Sequence, residues 1–258
     1  MTVPRQTTTQ RRTMLLAAVR GGDRSIQQLA EQFGVSSSTI RRDLTELARA
    51  GHVVRTYGGA LDTGHGVERT LWEKDASNAE EKDAVARTAA ELVGEGEVVL
   101  LDAGTTTGRL ARHLADRPGL TVVTNGLSVL LALADSPEVE VVVLGGRLRY
   151  PNEAIIGGPV EQQLKYIRPD RVFLGADGIT AERGLCSPTL EQAQLKHGML
   201  HAGRESYVLV DHSKVGHAPF SYWTPLDREH TVVVDGGGEQ AALDGFRATA
   251  HCSLLVSV

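Results

Sequence analysis

Apolar positions over the first sixty residues recur with helical spacing. Met14, Leu15, Leu16 and Val19 mark a helix over residues 13–19, and Ile26 to Phe33 a second, opened by a Ser25/Gln28 capping box and ended by Gly34. A third follows in "VSSSTIRRDL", residues 35–44: Ser36 is its N-cap, and Val35 is placed to pack on Ile40 as a hydrophobic staple. Ile40, Leu44 and Leu47 then face inward, leaving Ser37, Ser38, Thr39, Arg41, Arg42 and Thr45 as a polar face. Residues 52–60, "HVVRTYGGA", read as two short strands around a turn, a wing that offers Arg55. Helix, glycine turn, helix and wing together predict a winged helix-turn-helix.

Residues 61–75 have turn residues and charges without a long apolar period and read as a linker, with Trp72 anchoring it to the following unit. Ser77 and Glu80 predict a second capping box for a helix with Ala84, Val85, Ala89 and Leu92 on its apolar face. From Glu97 onward, apolar runs alternate with helical segments: "VVLLDAG", "LTVVTNG", "VEVVVLGG", "DRVFLGADG", "SYVLVD" and "HTVVVDG". Near-continuous aliphatic strands predict a mainly parallel sheet covered on both faces, with ligands at the carboxyl ends of its strands. The expected layout is therefore a small winged helix-turn-helix unit at 1–60, a linker at 61–75 and an α/β unit at 76–258.

The chain has 258 residues and is 41% hydrophobic, enough for sizeable cores. Its formal net charge of −5 conceals a division: residues 1–60 hold nine arginines, no lysine and four acids, while the rest holds 18 basic and 28 acidic residues. A head of charge +5 on a body of −10 suits a polyanion partner for the head, although ordinary surface scatter remains an alternative. Cys186 and Cys252 lie far apart with no paired spacing, which predicts a reducing, cytoplasmic setting. Neither a membrane-length apolar run nor a secretion-signal pattern is evident in the sequence.

The strand tips carry the candidate chemistry. In "DAGTTTGRLARHL" a strand ends at Asp102, Gly104 permits close approach, and Thr105, Thr106 and Thr107 open a helix, an arrangement suited to an anion. A plain threonine-capped helix is the competing reading, and the triphosphate-loop spacing is lacking. Thr124 and Asn125 repeat the pattern, Asn125 being suited to a sugar hydroxyl; Gly145 and Asp177 lie in two further tip turns. Glu191 with Lys196, and Asp211 with Lys214, complete a polar set, each pair alone being equally readable as a surface ion pair. Together these groups suggest a pocket for a phosphorylated sugar or polyol. His197 and His201 are four apart, but Gly198 replaces the glutamate of zinc hydrolases, so no metal or other cofactor is expected.

"IQQLAEQFGVSSSTIRRDL" and the closing "GGA" resemble the amino-terminal domain of the DeoR family of bacterial transcription regulators, and the later segments resemble that family's effector domain. The resemblance spans about residues 8–256. Its D-x-G-T-T, T-N and D-x-S-K motifs fall on Asp102 to Thr106, Thr124 and Asn125, and Asp211, Ser213 and Lys214; Val215 replaces the usual aromatic residue after the lysine. It implies an effector fold like ribose 5-phosphate isomerase, binding to double-stranded operator DNA, repression of carbohydrate genes, a phosphorylated-metabolite effector, and a homodimer or homotetramer. Two rivals stand beside this reading: an isomerase-like enzyme, and a regulator that senses something unphosphorylated or nothing small. Against the first, "LGADG" keeps Asp177 but has Leu174 and Gly178 where the isomerases' flanking acids fall.

Overall fold

The computed structural model describes residues 11, 12, 14, 15, 18, 24–49, 54–56, 59–61, 68–238 and 240–257. It divides into two compact units, Met1–Val67 and Glu68–Val258.

In the amino-terminal unit Arg11, Arg12, Met14, Leu15 and Ala18 are helical, while the rest of the helix expected over 13–19 lies outside the described residues. Helix α1 (Ile26–Phe33) and helix α2 (Ser37–Arg49) are joined at Gly34, whose φ of +62° suits a residue without a β-carbon. Ser36 caps α2, its Oγ accepting from the Thr39 N–H at 3.2 Å. Leu15, Leu29, Ile40, Leu44 and Leu47 form the core, with Val35 packed against it as the staple requires. Strands β1 (Arg24–Ser25), β2 (Val54–Thr56) and β3 (Gly59–Leu61) pair antiparallel in the order β1-β3-β2. The strand ahead of α1 was not evident from the sequence.

The larger unit is built on seven parallel strands: β4 (Val98–Leu101), β5 (Leu120–Thr124), β6 (Val139–Val143), β9 (Arg171–Gly175), β12 (Glu205–Val210), β14 (His230–Asp235) and β15 (Cys252–Ser257). Their order is β15-β14-β12-β9-β4-β5-β6. Two short antiparallel ribbons flank this sheet: β7 (Arg147–Arg149) with β8 (Ala154–Ile156), and β10 (Gly178–Thr180) and β11 (Gly184–Ser187) with β13 (Tyr222–Thr224).

Successive strand residues point to opposite faces, and both faces are apolar. Val99, Leu101, Phe173, Leu209 and Val233 join one core with helices α4 (Ala79–Glu91), α5 (Thr105–His113) and α6 (Leu127–Leu133). Leu100, Val172, Leu174, Val208, Val210, Val232 and Val234 join the other, with α7 (Gly158–Leu164), α8 (Leu190–Ala202) and α9 (Gln240–Arg247). Val215 packs against this second core in place of an aromatic residue.

The segment before α4 differs from the expected linker. Residues 59–61 form β3, and Leu71–Asp75 form a helix, α3, opened by a capping box between Thr70 and Glu73. Trp72 is no anchor: it is 73% exposed. Ser77 does not cap α4 either. Its Oγ donates to the Glu73 carbonyl at the end of α3, and the N-cap is Asn78, at φ +50°.

Candidate functional site

On α2, Arg41 and Arg42 are exposed and make no ion pair among the described residues. Ser38 is exposed too, while Ser37, Thr39 and Thr45 are partly covered. The Ser36 hydroxyl lies 2.8 Å from that of Ser38 and 2.9 Å from that of Thr39, and Thr45 donates to the Arg41 carbonyl at 2.7 Å. The side chain of Arg55, on β2, lies outside the described residues.

Asp43 does not belong to this face. It is 1% exposed and receives Arg11 Nε at 2.7 Å and Arg12 Nε at 2.9 Å. Burial alone would raise its carboxyl, but the two guanidiniums hold it below the ordinary range. Two of the nine basic residues of the head are thus consumed internally, whereas Arg41 and Arg42 pair with no acid among the described residues.

In the larger unit the chain order turns back beside β4: β5 and β6 continue on one side, β9 and its successors on the other. The carboxyl ends of β4 and β9 therefore diverge and leave a crevice. A cleft of about 50 Å³ opens there, lined by Ala103 to Thr106 after β4, Gly175 to Asp177 after β9, and Asp211 and Lys214 after β12. Gln192 and Lys196 reach it from α8, Lys74 from α3, Lys82 from α4 and Asn152 from the β7–β8 turn.

Charge in the cleft is closely matched. Lys196 Nζ contacts Asp102 Oδ2 and donates to the Gly175 carbonyl at 2.7 Å, while Asp102 also accepts from the N–H groups of Ala103 (2.8 Å) and Gly175 (3.3 Å). Lys74 pairs with Asp177. Burial would push the Asp177 carboxyl up, yet Lys74, then Lys196 and Lys214, bring it below the usual carboxylate range. Lys82 Nζ donates to the Ser77 and Lys74 carbonyls and lies 4.0 Å from Asp211 Oδ2. Its desolvation lowers the ammonium to about 8 despite the pull of Asp211. Asp211 accepts from Asn78 Nδ2 at 2.8 Å and from the Ser213 N–H at 3.1 Å, and Ser213 with its neighbouring cations keeps it ionised against burial. Lys214 has no ion pair within 4.0 Å among the described residues. Four ammonium groups thus meet three carboxylates at the amino end of α5, whose N-cap Gly104 supplies no side-chain acceptor to the first-turn amides.

Of the residues singled out in the sequence, the cleft brings together Gly104, Thr105, Thr106, Asp177, Lys196, Asp211 and Lys214, with Asp102 directly behind Lys196. The others serve the scaffold. Thr107 Oγ1 donates back to the Gly104 carbonyl, and Thr124 Oγ1 donates to Leu101 O at 2.8 Å while accepting from the Gly126 N–H. Asn125 is spent on the Ala103 N–H (3.0 Å) and the Ile155 carbonyl (3.1 Å), not on an open surface. Gly145 donates to Gln163 Oε1 at 2.9 Å. Glu191 pairs with Arg147 at 3.2 Å rather than with Lys196. Lys74, Lys82, Asn152 and Gln192 were not anticipated. For Lys82 the signal was a lysine within an apolar helical face; for Lys74 there was none.

Among the described residues no helix is long and apolar enough to cross a membrane. Residues 11–62 match the DeoR-like helix-turn-helix domain and residues 77–236 the DeoR C terminal sensor domain. The chain is 34% identical over 229 residues to the HTH-type transcriptional regulator GlpR of Haloferax volcanii, spanning 88% of this chain and 89% of that one. It is 33% identical over 209 residues to the glycerol-3-phosphate regulon repressor of Escherichia coli K12, spanning 81% and 83%. Ribose 5-phosphate isomerase A of Methanocaldococcus jannaschii aligns with 54% of this chain and 55% of its own, at 22% identity and a TM-score of 0.40. With both family domains matched in order and relatives this similar over most of its length, the chain belongs to the DeoR family of transcriptional regulators.

Proposed function

We propose that this protein is a repressor of carbohydrate-metabolism genes. Residues 1–60 hold operator DNA, and the unit from residue 76 onward senses a phosphorylated sugar or polyol through the cleft at the β4 and β9 tips. The observation that carries this reading is the cleft's charge: Lys74, Lys82, Lys196 and Lys214 are set against Asp177 and Asp211 in the lining and Asp102 behind Lys196, a surplus of one cation beside the first turn of α5. A phosphoryl group supplies the missing negative charge and acceptors for those amides. Asn152 and Gln192 are placed for hydroxyl groups of the same ligand. At the other end, Ser37, Ser38, Thr39, Arg41, Arg42 and Thr45 present hydroxyls and guanidiniums to a major groove, with Arg55 for the backbone or minor groove. The glycerol-3-phosphate regulon repressor bears a phosphorylated polyol in its name, which suits this ligand class.

The cleft binds rather than catalyses. An isomerase needs a base that takes up a proton readily, whereas the Lys74 ammonium lowers the proton affinity of Asp177, and Asp102 is committed to Lys196 and two amides. We assign the protein to the cytoplasm and to a homodimer or homotetramer, since paired heads match paired half-sites. The test is a thermal-shift and gel-shift series with the full chain, its own promoter DNA, and sugar phosphates set against the free sugars. Sugar phosphates should raise the melting temperature and change DNA retention, and Thr105→Val/Thr106→Val should retain DNA binding without that response. Equal responses to free sugars, or turnover of a sugar phosphate, would overturn the proposal.

A further inference from the structure

Helix α8 also carries His197 and His201, four residues apart and so on one face. Their rings meet edge to face with centroids 4.5 Å apart. Both turn Nε2 to one carboxylate, that of Asp227 in the connection between β13 and β14: His197 to Oδ2 at 3.2 Å, His201 to Oδ1 at 2.8 Å. Donor atoms of the three residues lie within 4.8 Å of one another. We propose that His197, His201 and Asp227 form a binding site for a divalent transition metal of the Zn²⁺ class, with water completing the coordination.

Zinc bonds to nitrogen and oxygen of about 2.0–2.2 Å place two tetrahedral ligands roughly 3.3 Å apart, so exposed rings need shift only by about 1 Å to close on an ion. Two imidazoles and one carboxylate favour Zn²⁺, Co²⁺, Ni²⁺ or Cu²⁺ over Mg²⁺ and Ca²⁺, which prefer all-oxygen sites. Asp227 is positioned from both sides: Thr224 Oγ1 donates to the Ala193 carbonyl of α8 at 2.9 Å, and Arg228 Nη1 to the carbonyls of Leu200 and Gly203, each at 3.0 Å. The third ligand lies 26 residues beyond His201 in the sequence, so no short histidine motif reveals it. Gly198 stands where a hydrolytic glutamate would be, and the ion's role is to fasten the β13–β14 connection to the helix that carries Lys196 into the cleft.

The experiment titrates the chelator-stripped full chain with Co²⁺, read by its visible absorption, followed by competition with Zn²⁺. One ion per chain is expected. Losing a ligand outright should weaken binding by about tenfold or more, since even supporting contacts around a metal are worth that much. His201→Ala and Asp227→Asn, both at exposed positions, should show this loss with unchanged far-ultraviolet circular dichroism, while Cys186→Ser and Cys252→Ser bind as the parent does. Titrations of the two ligand variants that superimpose on the parent's, an absence of saturable binding, or equal preference for Mg²⁺ would overturn the site.

Discussion

Lys196→Met isolates what the buried pair behind the cleft contributes. Methionine keeps most of the aliphatic stem and removes the ammonium, leaving the Asp102 carboxylate 5% exposed with only the Ala103 and Gly175 N–H groups, at 2.8 and 3.3 Å. Removing one partner of a buried ion pair typically costs about 3–5 kcal/mol, and those two donors set this case near the lower end, about 3 kcal/mol. For a unit of this size each kcal/mol lowers the melting temperature by about 2–4 °C, so a fall of about 6–12 °C is expected. Asp102→Asn/Lys196→Met removes both charges, leaves one side-chain oxygen to accept from the Ala103 N–H while giving up the longer Gly175 contact, and should recover more than half of that loss. Circular dichroism melts of both single variants, the double variant and the parent at pH 7 complete the cycle. A Lys196→Met melt within about 2 °C of the parent, or a coupling below about 0.5 kcal/mol, would refute the claim that this pair is a buried, interdependent unit.

Three other outcomes follow from the same geometry. Arg41→Ala and Arg42→Ala should each weaken specific operator binding by about 1–3 kcal/mol without lowering the melting temperature, measured by gel shift against random duplex; unchanged affinity refutes their base contact. Lys82, lowered by burial to about 8 from 10.5, destabilises the fold fully below pH 8 and progressively less up to 10.5. Phosphate-ester affinity should fall as pH rises through that lower value and the cation is lost; calorimetry at pH 7 and 9 checks this, and Lys82→Met should flatten the difference. Asp43, lowered by Arg11 and Arg12, stabilises above its unfolded value of 3.8 and loses that contribution as pH falls through its depressed folded value. Asp43→Asn should cost the amino-terminal unit about 1–3 kcal/mol at pH 7 and blunt its acid transition, followed by circular dichroism.

The sequence disclosed what repeats and concealed what converges. Val98 to Leu101 and Glu205 to Val210 read as strands because both faces of the sheet are covered, so apolar residues persist without alternation. Strand β15 was missed: it is an edge, and Ser253 and Ser257 leave it only a short apolar run. "TLWE" and "SNAE" both fit the capping-box spacing, but only Thr70 and Glu73 form one, since Ser77 is taken by the helix before it. Polar residues at strand tips were legible as a set, yet Thr124 and Asn125 spend their groups on neighbouring backbone, a use that depends on how adjacent tips are stacked.

Lys74 shows why one cleft residue left no trace in the pattern and why it matters. It sits on a five-residue helix in what reads as a solvated stretch, and only the return of the chain at β9 brings Asp177 to it. That helix is held by Leu71 N–H to the Pro151 carbonyl at 3.1 Å, by the Lys74–Asp177 pair, and by Lys82 beneath the Lys74 carbonyl. It follows Val67, the last residue of the amino-terminal unit, by only four positions. On the proposed reading, an anion bound beside Thr105 would compete with Asp177 for Lys74 and so act on the segment covalently continuous with the amino-terminal unit. A coupling of about 1–3 kcal/mol, the usual range for linked sites, requires no more than a difference in how well that one contact survives with the ligand bound.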